Sequence, residues 1–252
     1  MNWQLKPNRC TALEAQKAFV SLDSTFKIKG EPITRDPLSE VIKVKFGQTY
    51  YYIKRYHRAG KHLRRFLGPS RIKTEWRNLL FFKHLGIQTA DIIGYGEERL
   101  WGIFQRGAMI TQELEATYDL KSLQEQQSPL LKNPAWVAQI SQQIAQNTRL
   151  LHQHEFVHND LKWRNILVTT DHNPQVFFID CPLGGFWPSL LLKPFRNYRI
   201  IKDLACLDKV AKYNLRKSQR LAFYKTYSQC HKLTAKHKQQ IRKILNFFNN
   251  RE

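Results

Sequence analysis

The chain has 252 residues, 42% hydrophobic and 12% aromatic, which suffices for one large domain or two small lobes and excludes global disorder. Its net charge of +21 calls for an anionic partner: nucleic acid, an anionic membrane surface, or a phosphorylated or carboxylated substrate. No run reaches the ~18 consecutive apolar residues of a membrane span. The polar start MNWQLKPNRC lacks a signal peptide's apolar run. Four cysteines (Cys10, Cys181, Cys206, Cys230) show no Cys-x-x-Cys spacing, which argues against a disulfide framework or zinc site and for a reducing cytosol.

In chain order, a short helix is expected around Ala12–Leu22. Phe26–Lys29 and Val41–Phe46 read as strands, Gly47-Gln48 as a turn, and Thr49–Tyr56 as a third strand rich in β-formers. The aromatics Tyr50–Tyr52 suit sheet packing better than base stacking. Helical spacing runs from Arg71 to Leu85 and stops before Gly86. Asp91–Glu98 and Ala108–Leu114 are two further strand candidates. The character then changes. Pro134 opens a helix that reaches His154, Val176–Asp180 is a short apolar strand ending in an acid, and Tyr198 to Phe248 is mostly helical. The fold class expected is α+β: a strand-rich N-terminal lobe with one helix over residues 1–113 and a helical C-terminal lobe over residues 114–252, joined near Glu113–Thr117.

The stretch VHNDLKWRNILV (Val157–Val168) packs His158, Asp160, Lys162 and Asn165 between apolar flanks. His-x-Asp-Leu-x-x-x-Asn divides labour in a way suited to phosphoryl transfer. The aspartate takes or orients the acceptor hydroxyl's proton, and the asparagine five residues on reaches a magnesium ion. Lys162 can set a positive charge beside the transferring group. Asp180 closes an apolar strand fifteen residues past Asn165, where a second metal-binding carboxylate is needed. Lys54 lies in the third strand, and Glu75 in the following helix can fix its direction. His152 and His154 fall at a helix end, where histidine suits the dipole, and are assigned no metal.

The order Lys54, Glu75, His158-x-Asp160, Asn165, Asp180 resembles the protein-kinase-like bilobal fold. GIQTADIIGYGEER, HNDLKWRNIL and RIIKDLACLDKVAK resemble the bacterial lipopolysaccharide kinase family (the Kdo/WaaP group), over roughly Val41 to Tyr213. The resemblance implies an ATP- and Mg2+-dependent kinase that phosphorylates a sugar, heptose or Kdo, of the lipopolysaccharide inner core at the cytosolic face of the inner membrane. It implies Asp160 as the catalytic aspartate, Lys54 at the ATP phosphates with Glu75 paired to it, and Asn165 and Asp180 as magnesium ligands; Lys162 joins Asp160 as a catalytic candidate on its charge. Gly30, Ser39 and Glu113 are further candidates for holding nucleotide. Asp203 would buttress the catalytic loop.

Departures from the kinase pattern shape these expectations. No Gly-x-Gly-x-x-Gly precedes Lys54; the candidate phosphate loop, GEPITRDPLSE, has one glycine, Gly30, and would draw on Ser39. Cys181-Pro182 follows Asp180, and the segment to Asp203 is short. Asn159 stands where many regulated protein kinases carry an arginine, so activation by loop phosphorylation is not expected, and a protein substrate is disfavoured.

The charge suits a lipopolysaccharide core or lipid-linked anionic sugar in an anionic membrane, where each Lys/Arg contributes about 1 kcal/mol. Nucleic acid ranks behind these. Lys54–Lys73, with eight Lys/Arg and no acid, and Lys193, Arg196, Arg199 and Lys202 could supply the attraction. Gly184–Phe195 reads either as a shallow membrane contact or as core packing. Three readings stay open beside the sugar kinase: a small-molecule phosphotransferase of the same fold, an RNA-associated kinase-like protein, and a noncatalytic pseudokinase binding an anionic surface.

Overall fold

The computed structural model describes residues 2–6, 12–59 and 68–249. It comprises two compact units, the first of Met1–Phe81 and Thr89–Glu115, the second of Phe82–Gln88 and Ala116–Glu252.

The first unit is built on six strands: β1 (Asn2–Leu5), β2 (Glu31–Arg35), β3 (Ser39–Phe46), β4 (Thr49–Tyr56), β5 (Ile92–Leu100) and β6 (Ile103–Gln112). They form one antiparallel sheet in the order β1-β5-β6-β4-β3-β2. Two short helices, α1 (Leu13–Ala18) and α2 (Leu22–Lys27), precede β2, and α3 (Arg71–His84) follows β4. Alternation puts Tyr51 and Ile53 of β4 inward, where they join Ala15, Phe19, Val44, Ile93 and Ile110 in one apolar core. Phe19 meets Tyr51 edge-on, ring centres 5.3 Å apart. Gly47, at φ +60°, closes the β3–β4 hairpin.

Three expectations shift. Phe26–Lys29 is not a strand, because Phe26 and Lys27 end α2. Ser21 starts that helix: its Oγ accepts from the Ser24 amide at 3.0 Å, and the Ser24 hydroxyl accepts from the Ser21 amide at 3.0 Å. This reciprocal cap, with Asp23 in the first turn, outweighs the strand preference of Phe26 and Ile28. The same cap splits the helix expected over Ala12–Leu22 into α1 and the start of α2. The strand falls instead at β2, inside the stretch read as a phosphate loop. Every residue of β2 is exposed, so no apolar alternation marked it, and its edge position tolerates Pro32.

The second unit holds β7 (Thr117–Asp119), α4 (Leu120–Glu125), α5 (Pro134–Gln153), β8 (Phe156–Val157), β9 (Ile166–Thr169), β10 (Val176–Phe178), β11 (Gly185–Phe186), α6 (Ser189–Asn214), α7 (Lys217–Ser228) and α8 (Ala235–Leu245). Strands β10-β9-β7 make one small sheet and β11-β8 another. Asn133 caps α5 through its Oδ1, which accepts from the amides of Ala135 and Trp136, and Pro134 takes the first helical position. Ala145 of α5, Leu204 and Ala205 of α6, Tyr224 and Tyr227 of α7 and Ile244 of α8 form the core. Helix α6 begins ahead of the expected Tyr198 and kinks at Leu192 (φ −124°), beside Pro194. No helix among the described residues is long and apolar enough to cross a membrane. The chain is thus α+β, with an antiparallel strand-rich N-terminal part and a helical C-terminal part.

Candidate active site

In the first unit, Lys54 on β4 and Glu75 on α3 form a charge pair. Lys54 Nζ donates to Glu75 Oε1 at 3.0 Å and to Oε2 at 2.9 Å. The carboxylate is 4% exposed, the ammonium 17%, and the Tyr56 hydroxyl donates to Glu75 Oε2 at 3.2 Å. A pair this dry is held in one geometry, and its ammonium is aimed by the helix rather than by solvent.

The other three first-unit candidates have local duties. A Cβ on Gly30 would lie 2.5 Å from the Lys43 carbonyl oxygen and from Val44, so the glycine permits close approach of the chain to β3. Ser39 is buried, and its hydroxyl donates to Asp36 Oδ2 at 3.3 Å. Asp36 Oδ1 also accepts from the amides of Leu38 (2.6 Å) and Ser39 (2.9 Å), so the hairpin turn is tied by its own carboxylate. The Glu113 carboxylate accepts from Lys43 Nζ at 2.6 Å and from the Tyr52 hydroxyl at 3.2 Å. That bond to Glu113 holds the Lys43 pKa above its ordinary value.

In the second unit, the loop after β8 carries Asp160, Lys162 and Asn165. Lys162 Nζ lies 2.5 Å from Asp160 Oδ1. Asn165 Nδ2 donates to the Asp160 carbonyl at 2.9 Å and to its Oδ2 at 3.3 Å. With the amide nitrogen so engaged, the Asn165 side-chain oxygen is the atom left to ligate a cation. Asp180 follows β10 with φ +56°, a left-handed backbone that aspartate tolerates better than most residues. The Ile179 amide donates to the Asn165 carbonyl at 3.0 Å, which ties the residue before Asp180 to the loop.

Asn165 and Asp180 offer hard oxygen donors, the chemistry magnesium prefers. Magnesium keeps waters and substrate phosphates in its shell and does not need a protein-only cage. Among the described residues no group of three or more His, Cys, Asp or Glu forms such a cage. The oxygen donors of Asn165 and Asp180 fit a magnesium ion shared with phosphate.

The loop is held from beneath. Asp203 of α6 is fully buried, and its Oδ2 accepts from the His158 amide at 2.8 Å. His152 Nε2 lies 3.4 Å from the same oxygen, and its Nδ1 is 2.8 Å from the Tyr227 hydroxyl. Asn159 adopts φ +65°; its Nδ2 donates to the Leu183 carbonyl at 2.9 Å. Arg199 donates to Asn159 Oδ1 at 2.8 Å and Lys202 to the Asn159 carbonyl at 3.1 Å. An asparagine suits this position because it accepts positive φ and offers both a donor and an acceptor.

The His158 ring is fully buried and stacks on Phe82, centroids 5.8 Å apart, with no hydrogen-bond partner for either nitrogen among the described residues. Burial pushes its pKa down, so it packs as a neutral aromatic group. Burial also pushes the Cys206 thiol up to about 11, which leaves it a poor nucleophile at neutral pH.

Of the four basic residues proposed to attract an anionic acceptor, Arg196, Arg199 and Lys202 are engaged internally. Arg196 pairs with Glu155 at 3.0 Å, while Arg199 lies over the Trp187 ring, 4.0 Å from its centroid. Lys61, Arg64 and Arg65 of the basic cluster lie outside the described residues. In Gly184–Phe195, Trp187 packs under Arg199, whereas Phe186, Leu190 and Phe195 are exposed. His152 and Tyr227 support the loop without any sequence signal. They are 75 residues apart, and no local pattern links them.

A cavity of about 430 Å³ lies elsewhere in the second unit, lined by residues such as Trp136, Ile140, Leu204, Leu207, Tyr224 and Ile241. Asp160, Lys162, Asn165 and Asp180 are not among the residues that line it.

The family model described as the lipopolysaccharide kinase (Kdo/WaaP) family matches residues 26–227. Among solved structures, the chain is similar to WaaP in complex with acyl carrier protein, with a TM-score of 0.69 and 19% sequence identity. The match covers 100% of this chain and 98% of that one, and it shows a shared fold. No curated protein matches the chain.

Proposed function

Because the chain belongs to the lipopolysaccharide kinase (Kdo/WaaP) family, a family of phosphotransferases, we propose that it moves the γ-phosphate of ATP to a hydroxyl of an inner-core heptose or Kdo. The observation that carries the reading is the second-unit loop, where Asp160 sits against Lys162 and Asn165 on a backbone anchored by buried Asp203.

In this reading Asp160 orients the acceptor hydroxyl and accepts its proton. Lys162 balances negative charge at the transferring phosphoryl group. Lys54, aimed by Glu75, holds ATP phosphates. Asn165 and Asp180 hold magnesium, which when bound neutralises phosphate charge. Gly30, Ser39 and Glu113 complete the nucleotide site in this reading: Gly30 lets the chain approach β3 closely, while Ser39 and Glu113 are positioned by Asp36 and Lys43. No loop phosphorylation is needed: the segment after Asp180 is already fixed by Asn159 to Leu183 and by pairing of Gly185 with Val157.

The +21 charge favours an anionic, lipid-linked acceptor at the inner face of the inner membrane over a cationic or neutral small molecule. By extension from the WaaP structure, an acyl carrier protein is a proposed partner, checked by co-purification. An acceptor panel tests the function. Labelled ATP with magnesium is offered with lipopolysaccharide lacking core phosphate, with small alcohols and with RNA. Label in the core sugars alone, mapped to heptose or Kdo by mass spectrometry, supports the reading. Label only in small alcohols would replace it with a small-molecule phosphotransferase.

A further inference from the structure

The tip of the β5–β6 hairpin has no role in the chemistry described above. Leu100 pairs with Ile103 across a two-residue turn, Trp101-Gly102, in which both residues have positive φ (+49° and +82°). Such a turn favours Asn-Gly or Gly-Gly, and a tryptophan there is sterically the wrong choice. Trp101 is nevertheless 95% exposed, with Leu100 at 60% and Ile103 at 47%.

The tip is also braced. Arg99 donates to the Gly102 carbonyl at 2.8 Å and to Glu97 Oε1 at 2.8 Å. Below the apolar end, charges are matched: Glu97 with Arg99, and Glu98 with Arg106. The turn therefore presents three apolar side chains at its end, with two matched charge pairs behind them.

We propose that this hairpin tip is an interfacial anchor that seats the first unit in an anionic lipid bilayer. The apolar-to-polar order along the hairpin matches the order met on entering a bilayer from its core to its headgroups, and tryptophan prefers that boundary. A two-residue turn is narrow, and a fluid lipid surface accommodates it without a preformed groove. The chain's +21 charge supplies the long-range attraction to anionic headgroups that a locally neutral tip lacks. The anchor deepens the reading of a lipid-linked acceptor and rests on it for its purpose. Lipid binding is measured without nucleotide, so either idea can fail alone.

The test is sedimentation with vesicles of phosphatidylethanolamine and phosphatidylglycerol, using wild type, Trp101→Asn and Leu100→Ser. Asparagine suits the positive φ of the turn, so Trp101→Asn keeps the hairpin, and an unchanged melting temperature confirms this. The expected result is vesicle binding by wild type, weakened about tenfold in Trp101→Asn and by a smaller factor in Leu100→Ser. Wild-type tryptophan emission should also shift to the blue on vesicles, and less so in the variant. Equal binding by all three proteins would overturn the anchor, because charge alone would then explain it. Wild type that binds no vesicle, or that self-associates through the tip instead, would overturn it too.

Discussion

The two polar sets, one in each unit, are built by opposite strategies. Lys54 and Glu75 stand 21 residues apart on regular elements, a strand and a helix, and bond directly to each other, with the Tyr56 hydroxyl on the same carboxylate. Asp160, Lys162 and Asn165 fall within six consecutive residues of an irregular loop, with left-handed Asn159 beside them. That loop owes its shape to residues far along the chain: Asp203, Arg199, Lys202 and, through His152, Tyr227. A short motif can thus depend on a scaffold drawn from far along the chain. Substitutions should separate the two designs.

The largest effect is expected at Asp160. Asp160→Ala should lower kcat by about 10²- to 10⁴-fold, the span of general acid–base contributions, with an unchanged melting temperature. Asp203→Ala comes next and strikes both activity and stability. It leaves the buried His158 amide without its acceptor, which costs about 1–3 kcal/mol, and it frees the loop. Chemical denaturation and kinetics on the same sample read both losses. A fall in stability with kcat intact would show that the scaffold is not needed for loop geometry.

Glu75→Gln should act more narrowly. Loss of a charge-assisted bond worth about 1.5–3 kcal/mol corresponds to a roughly tenfold to hundredfold rise in KM for ATP. Acceptor KM should stay constant, and a change confined to the acceptor would break the assignment of Lys54 to nucleotide. The smallest effect is expected at His158. Its folded pKa lies below the ordinary 6.5, so the unfolded chain binds the proton more readily. This contribution to stability is complete above about pH 6.5 and is lost as pH falls toward the folded value. His158→Phe should keep the stack on Phe82 and flatten the decline in melting temperature between pH 7 and 5. An unaltered slope would place the acid sensitivity elsewhere.

These contrasts also explain what the sequence disclosed. The strand Thr49–Tyr56 and the helix opened by Pro134 were legible because their β-former content and capping agree with their burial. Strand β2 was not, since a fully exposed edge strand carries no alternation. Phe26–Lys29 misled because a serine cap upstream overrides side-chain preference. In the candidate site, Asp160, Lys162 and Asn165 announce themselves by spacing, while Lys54 and Glu75 are visible through order. His152 and Tyr227 were invisible because their contact is purely tertiary. Arg199 and Lys202 looked like surface charge, yet they turn inward to Asn159.

The most direct measurement pairs binding with transfer in two variants. Mg-ATP binding and phosphate transfer to lipopolysaccharide lacking core phosphate are followed for wild type, Lys54→Met and Asp160→Ala. The account predicts that Asp160→Ala binds Mg-ATP like wild type and transfers phosphate to the core sugar at least about 10²-fold more slowly, whereas Lys54→Met binds Mg-ATP weakly. Phosphate entering the core sugar at the wild-type rate from Asp160→Ala would contradict it.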